Sequence, residues 1–325
     1  MAVLLAPFLA PDAYALLIAA LVDYAIGDPV YRAHPVRLIG RVLQAIERAS
    51  RACGADGYGG GIVLFVLLAA VSLAATVAAL RAAASVSAAL AWTLHVFLLY
   101  SFLALGDLLR HGWNIERALR RDDLAEARRA VSQLVGRDTA VMDAGACRRA
   151  AVESLSENLT DGLTSAVVWY VVAGMPGIVL FKVVSTMDSM VGYRTERYLR
   201  FGWCGARLDD VMNFMPARLT WLLLSFVALF VPGCSSRKAL RIGWQQHTIL
   251  PGPNSGWSEA AAAGAVGCRL VGPIWMNGAL VTERWVGDPA DPPLATGVQF
   301  ERASRLVAWC GGVATAIGCG LILSR

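Results

Sequence analysis

Apolar residues in this chain are gathered into blocks rather than spread evenly between polar ones. The runs near 10–26, 61–80, 85–106 and 305–323 approach the roughly 20 residues that a bilayer-crossing helix needs. Two more, 163–184 and 217–233, are less regular. The pattern predicts an all-α polytopic integral membrane protein with about 4–6 membrane segments, one membrane-embedded domain covering 1–325. Its main polar loops fall at 27–60, 107–161, 185–216 and 234–304.

Both irregular runs carry breakers. "AGMPGIV" places Gly174, Pro176 and Gly177 inside the first, and "FVPGCSS" ends the second. A broken or re-entrant hairpin is expected for at least one of them, because non-helical backbone at membrane depth survives only where protein or a wet cavity receives it. A tight turn is expected near Arg81, between the second and third segments. In 107–161, Leu119, Leu124, Ala127, Val131 and Leu134 give an apolar stripe, as in soluble amphipathic helices.

Composition agrees with the blocks. The chain is 57% hydrophobic and 16% charged, whereas a soluble domain carries about a quarter charged residues. Of 29 basic residues only Lys182 and Lys238 are lysines, a bias that genomic base composition also produces. Loop 27–60 holds Arg32, Arg37, Arg41, Arg48 and Arg51 against few acids, which places it on the cytoplasmic side. The seven cysteines show no C-x-x-C spacing, so neither a disulfide framework nor a structural zinc site is expected.

Four polar blocks carry candidate chemistry. In "AAVESLSENLTDGL", Glu153 and Glu157 share a helix face at i and i+4, with Asn158 and Asp161 following at the helix end. Either Arg148 and Arg149 balance a solvated helix end, or the carboxylates hold a cation such as Mg²⁺ together with phosphate oxygens. In 185–219, Arg194, Arg197, Arg200 and Arg207 alternate with Tyr193, Tyr198, Phe201, Trp203 and Phe214, and Asp188, Glu196, Asp209 and Asp210 are interleaved. Such arginines suit bidentate phosphate or carboxylate binding, and such aromatics suit a flat ligand or the membrane interface. In 23–42, "GDPVYRAHPVRLIGRV" puts turn chemistry ahead of Arg37 and Arg41 on one helix face. In 250–273, a Pro/Gly-rich loop delivers Asn254, Trp257 and Glu259 ahead of a small-residue helix. No P-loop, nucleophile elbow, H-E-x-x-H or Rossmann glycine pattern is present.

Taken in order, "GDPVYRAHPVRLIGRV", "RDTAVMDAGACRRAAVESLSENLTDG", "DSMVGYRTERYLRFGWCGARLDDVMNFMPARLT" and "PGPNSGWSEAAAAGAVGCRLVGP" closely resemble the adenosylcobinamide-phosphate synthase family (CbiB/CobD) of cobalamin biosynthesis. The chain departs from that pattern at Pro251-Gly252-Pro253-Asn254, where the family often has a serine second. The resemblance implies a multi-pass enzyme of the cell (inner) membrane with its site on the cytoplasmic side. Such an enzyme joins adenosylcobyric acid to (R)-1-amino-2-propanol O-phosphate, or to aminopropanol, by an ATP-dependent amide ligation. ATP and Mg²⁺ are the implied cofactors, and the adenosylated corrinoid is substrate.

On this reading Glu153, Glu157, Asp161, Asp188 and Asp209 are catalytic, with Glu153, Glu157 and Asp161 also the metal ligands. Arg37, Asn158, Tyr193, Arg194, Arg197, Arg207, Asn213, Asn254, Trp257 and Glu259 bind substrate or nucleotide. The expected partners are the two substrates, the lipid bilayer, other membrane-associated cobalamin-assembly enzymes and a second copy of the chain, with no nucleic acid. The alternative is a non-enzymatic regulatory or sensing membrane protein of the related AmpE type.

Overall fold

A computed structural model describes residues 6–29 and 31–325; Val30, in loop 27–60, lies outside them. The fold is helical: α1 (Ala6–Leu9), α2 (Ala13–Ile26), α3 (Pro35–Ala52), α4 (Tyr58–Val86), α5 (Ala88–Tyr100), α6 (Leu105–Arg120), α7 (Leu124–Val131), α8 (Ala144–Asn158), α9 (Ser165–Val191), α10 (Trp203–Met212), α11 (Phe214–Val227), α12 (Ser236–Gln246), α13 (Ser255–Val266) and α14 (Gly297–Leu323). Four short strands, β1 (Leu270–Val271), β2 (Ile274–Met276), β3 (Ala279–Thr282) and β4 (Trp285–Val286), make two antiparallel pairs, β1 with β4 and β2 with β3.

Five helical stretches among the described residues are long and apolar enough to cross a membrane: Pro7–Ile26, Tyr58–Val86, Ala88–Arg120, Ala144–Val191 and Gly297–Leu323. Two expectations need correction. The turn after the second segment is at Ser87 rather than Arg81; α4 runs on to Val86, and the Ser87 hydroxyl caps α5 by accepting the Leu90 N–H. The segment expected at 217–233 is helical only over Phe214–Val227, about 21 Å at 1.5 Å per residue and too short to span.

The chain divides into two compact units. The first holds Met1–Ala104, Ser165–Asn213 and Thr315–Arg325. Here α9 is broken at Ala173 and Gly174, the latter at φ +61°, where a side chain would be strained. A Cβ on Gly177 would fall on the Trp169 carbonyl, two turns earlier; in a straight helix these residues would stand about 12 Å apart. The two ends of α9 would likewise be about 39 Å apart if straight. Yet α10, about 15 Å long, touches both arms. Asn213, just after it, accepts a hydrogen bond from Ser165 at 2.5 Å, the Met212 carbonyl accepts from the Trp169 indole at 3.1 Å, and Gly205 lies against Met187. The apolar stretch is therefore a re-entrant hairpin with both ends on one side, not a single rod.

Buried polar contacts hold the hairpin tip. The Tyr170 hydroxyl lies 2.7 Å from His95 Nε2, and His95 Nδ1 lies 2.7 Å from the Phe8 carbonyl, so Nδ1 carries the proton and Nε2 accepts from the tyrosine. Asp12 donates its N–H to the Tyr170 oxygen at 2.8 Å and accepts from the Trp92 indole at 3.1 Å. At the opposite end of this unit Arg51 donates to Glu47 at 2.9 Å and to the Arg197 carbonyl at 3.1 Å. That contact places α3 and the block after α9 on the same face.

The second unit holds Leu105–Thr164 and Phe214–Ala314. Its helices α6, α7 and α8 bury Ile115, Leu119, Ala127, Val131 and Leu155, matching most of the stripe expected in 107–161. Glu116, 1% exposed, is held by Arg148 at 2.7 Å and Arg120 at 3.0 Å. Small residues let α13 pack closely against α11 and α12; every residue from Gly256 to Val266 is buried.

Candidate functional site

The candidate residues fall into two sets, one within each unit. In the second unit, α8 delivers Glu153, Glu157 and Asn158 and passes directly into a π-helical turn, Leu159–Thr164, that carries Asp161. A π turn widens the helix and is frequent at functional sites. Glu259 enters from α13, a hundred residues on, and its carboxyl belongs to the same cluster. Burial pushes Glu259 well above the usual carboxylate range, the charges of Glu157 and Glu153 push it further, and Arg137 opposes them.

Glu153 is 3% exposed and both its oxygens are engaged: Oε2 with Arg137 at 2.5 Å, and Oε1 with the Val271 N–H at 2.9 Å. Val271 is a β-branched residue at φ +67°, a costly left-handed conformation. Arg149 holds its carbonyl from the same helix, at 3.3 Å. Glu153 thus clamps a strained turn, which does not suit a metal ligand. Among the described residues no three His, Cys, Asp or Glu side chains converge on a metal position, so the trio Glu153, Glu157 and Asp161 does not form a cage. Glu259, buried on α13, feels the charge of the exposed Glu157, and these two carboxylates suit a divalent cation completed by phosphate oxygens. Asn158 turns its amide back to the Ser154 carbonyl at 2.9 Å.

The loop before α13 is tied to α11. Arg218 donates to the Asn254 side chain at 3.4 Å, and its guanidinium covers the rings of Phe214 at 3.4 Å and Trp257 at 4.9 Å. Burial lowers the Arg218 pKa. Trp257, 4% exposed, stacks on His247 at 3.9 Å and meets Trp221 at 4.9 Å and Trp244 at 5.9 Å. The indole N–H groups of Trp257 and Trp221 are buried without a hydrogen-bond acceptor. Sequence reasoning missed Arg218, Trp221, Trp244 and His247. The signal available was an arginine one turn into an apolar run and three tryptophans gathered between 221 and 257.

In the first unit, Asp188 on α9 and Asp209 and Asp210 on α10 stand together. Burial raises Asp209 to about 7, the Asp188 charge adds to this, and Asn213 and Lys182 oppose it. Asn213, 1% exposed, fixes the group: its amide donates to Asp209 Oδ2 at 2.9 Å while its oxygen accepts from Ser165. The result is an oriented carboxylate that exchanges its proton near neutrality.

Other expected binders are engaged elsewhere. Arg197 pairs with Glu47 at 3.0 Å. Burial raises the Glu47 pKa, but hydrogen bonds from Arg51 and Arg197 outweigh it and leave the group below its usual range. Arg207 pairs with Asp210 at 3.3 Å. Phe201 is fully buried beneath Arg51, and Trp203 packs edge-on against Tyr58, so these aromatics build the fold rather than a flat-ligand wall. Tyr193 and Arg194 are exposed, as is Arg37 on α3.

Comparisons with known proteins bear on the family. The family model described as CobD/Cbib protein matches residues 16–307. The chain is 40% identical over 275 residues to the cobalamin biosynthesis protein CbiB of Salmonella typhi, covering 83% of this chain and 86% of that protein. It is 39% identical over 279 residues to the cobalamin biosynthesis protein CobD of Pelobacter propionicus, covering 86% of each. No solved structure matches significantly. The ordered polar blocks and the extent of these matches show that the chain belongs to the CobD/CbiB family of cobalamin biosynthesis proteins.

Proposed function

We propose that the protein is the ATP-dependent ligase that joins the carboxyl group of adenosylcobyric acid to the amine of (R)-1-amino-2-propanol O-phosphate, or of aminopropanol, as an amide. The observation that carries this reading is Asp209, a carboxylate oriented by Asn213 with its pKa raised to about 7. A general base is most effective when its pKa lies near the working pH.

The chemistry balances simply. The corrinoid carboxylate takes the terminal phosphoryl group of ATP, giving an acyl phosphate and ADP. The amine nitrogen then forms a bond to the acyl carbon, phosphate leaves, and a carboxylate accepts the proton lost by nitrogen, a role that within the first unit suits Asp209. Within the second unit, Glu157 and Glu259 would hold the Mg²⁺ that neutralises phosphate charge. Arg218 and Asn254 orient an anionic group beside the tryptophans, and the exposed Trp244 offers a face to the corrin ring. Glu153 and Asn213 act as positioning residues. The arginine excess of 27–60 supports a cytoplasmic position for the end of the first unit bearing α3 and α10, in a protein of the inner membrane on this reading.

The test is full-length protein in nanodiscs with adenosylcobyric acid, aminopropanol phosphate and Mg-ATP, followed by mass spectrometry of the corrinoid. ATP-dependent gain of the amide-linked aminopropanol phosphate supports the assignment. Folded protein that forms no amide with either acceptor overturns it.

A further inference from the structure

α3 is strongly amphipathic and does not lie flat on the membrane surface. Its residues Pro35, Leu38, Ile39 and Val42 share an apolar groove with Val71, Ala75 and Ala79 of α4. Those α4 positions stand about 20–32 Å along a helix about 42 Å long, near the middle of the span. The other face of the same α3 turns carries Arg37, Gly40, Arg41 and Gln44, which with Arg32 and Met190 line a groove of about 460 Å³. That volume falls in the range of small-molecule sites, about 300–1,000 Å³. Gly40 lies against the Met190 sulfur, so the floor is closed by the second arm of the α9 hairpin.

Two independent features point to a ligand. None of Arg32, Arg37 and Arg41 makes an ion pair or hydrogen bond with any described residue, and no acid lines the groove. Guanidinium groups at membrane depth are costly unless they face water or a counter-charge. The turn leading into α3 also holds buried polar atoms without hydrogen-bond partners, namely Tyr31 Oη, Asp28 Oδ1 and His34 Nε2. His34 Nε2 and Asp28 Oδ1 are 2.8 Å apart but are not aligned as donor and acceptor.

We propose that Arg32, Arg37 and Arg41 form an anion site for a phosphate-class group, entered from the α3 side of the membrane and seated between α3 and the re-entrant hairpin. Three unpaired guanidiniums suit the several oxygens of a phosphate better than a single carboxylate does. A phosphorylated small molecule from water and an anionic phospholipid headgroup share this chemistry. The site stands whether or not the ligase reading does.

The experiment uses delipidated full-length protein in neutral detergent and inorganic pyrophosphate as probe, with binding measured calorimetrically at two salt concentrations. Wild type should bind, and more weakly at high salt. Arg37→Gln and Arg41→Gln, each on an exposed side chain, should weaken binding roughly tenfold. Arg237→Gln, an exposed side chain on α12 of the second unit, should leave it unchanged. A second arm compares nanodiscs of neutral lipid with nanodiscs containing phosphatidylglycerol. Pyrophosphate binding lost only with the anionic lipid makes the headgroup the occupant; binding kept in both makes it a soluble phosphate. No pyrophosphate binding, or binding indifferent to both Arg37→Gln and Arg41→Gln, overturns the proposal. Because no turnover is measured, failure of the ligase assay leaves this result intact.

Discussion

Glu153 holds the N–H of Val271 at 2.9 Å, and Val271 is a β-branched residue kept at φ +67°. One carboxylate oxygen therefore pins a strained turn to α8, while the other is neutralised by Arg137.

Glu153→Ala should accordingly lower stability by about 1–3 kcal/mol, since it leaves the buried Val271 N–H without its acceptor and the half-buried Arg137 unpaired. Val271→Gly removes about 1–2 kcal/mol of left-handed strain and should make the same substitution less damaging. Thermal unfolding of the purified single and double variants in detergent measures both. A Glu153→Ala protein that melts with wild type but has lost activity would return Glu153 to the chemistry.

The raised pKa of Asp209 has two signs to check. If the carboxylate is the base, activity should rise with pH through about 7, and Asn213→Ala, which removes a hydrogen bond to the charged form, should move that limb upward. Stability runs the other way. An acid whose pKa is raised on folding favours the folded state below its unfolded value, near 3.8, and loses that contribution as pH climbs through 7. Asp209→Asn should therefore melt higher than wild type at pH 8 and level with it near pH 4. Rate profiles and melting curves across that range decide both points.

Residues on either side of α9 should be reachable from one face. Single cysteines at Arg48, Arg194 and Arg200, in a chain otherwise without cysteine, should react with an impermeant maleimide from the same side. A cysteine at Ser85 should react from the other. Labelling of 194 and 48 from opposite sides would mean that α9 crosses as a rod.

Trp244 is 63% exposed at the lip of the tryptophan stack. Its replacement by alanine should raise the corrinoid KM by about tenfold, the equivalent of about 1.4 kcal/mol, and change kcat little. Quenching of tryptophan fluorescence by corrinoid, compared between Trp244→Ala and Trp244→Phe, gives a second readout. Equal quenching in wild type and Trp244→Ala would remove the stack from the site.

Much of this was legible from order and spacing. Gly174, Pro176 and Gly177 announced a break, because within one turn they combine backbone free to take positive φ with a residue that lacks an N–H. The length of the two arms was not legible, since it depends on Gly177 meeting Trp169 and on α10 fitting across the open ends. Glu153 and Glu157 looked equivalent at i and i+4, and only Val271, far along the chain, singles out Glu153 as a clamp. The partnership of Glu157 with Glu259 required α8 and α13 to pack, which the small residues of α13 permit but do not announce. The arginine–aromatic alternation after residue 192 misled for a plain reason. A ligand wall and a loop packed through guanidinium–ring contacts, as Arg51 makes with Tyr198 and Phe201, have the same composition.

The hairpin also fixes a parity. A stretch that enters and leaves by one face adds nothing to the number of times the chain changes sides. Among the described residues the net crossings reduce to α2, α4, the α5–α6 stretch and α14, an even number. The first turn of α2 and the last turns of α14 should then share a side, and they do touch: Cys319 meets the Ala13 carbonyl at 3.3 Å. A reporter enzyme fused after Arg325 should report the compartment opposite the arginine-rich face, as should one joined ahead of α2.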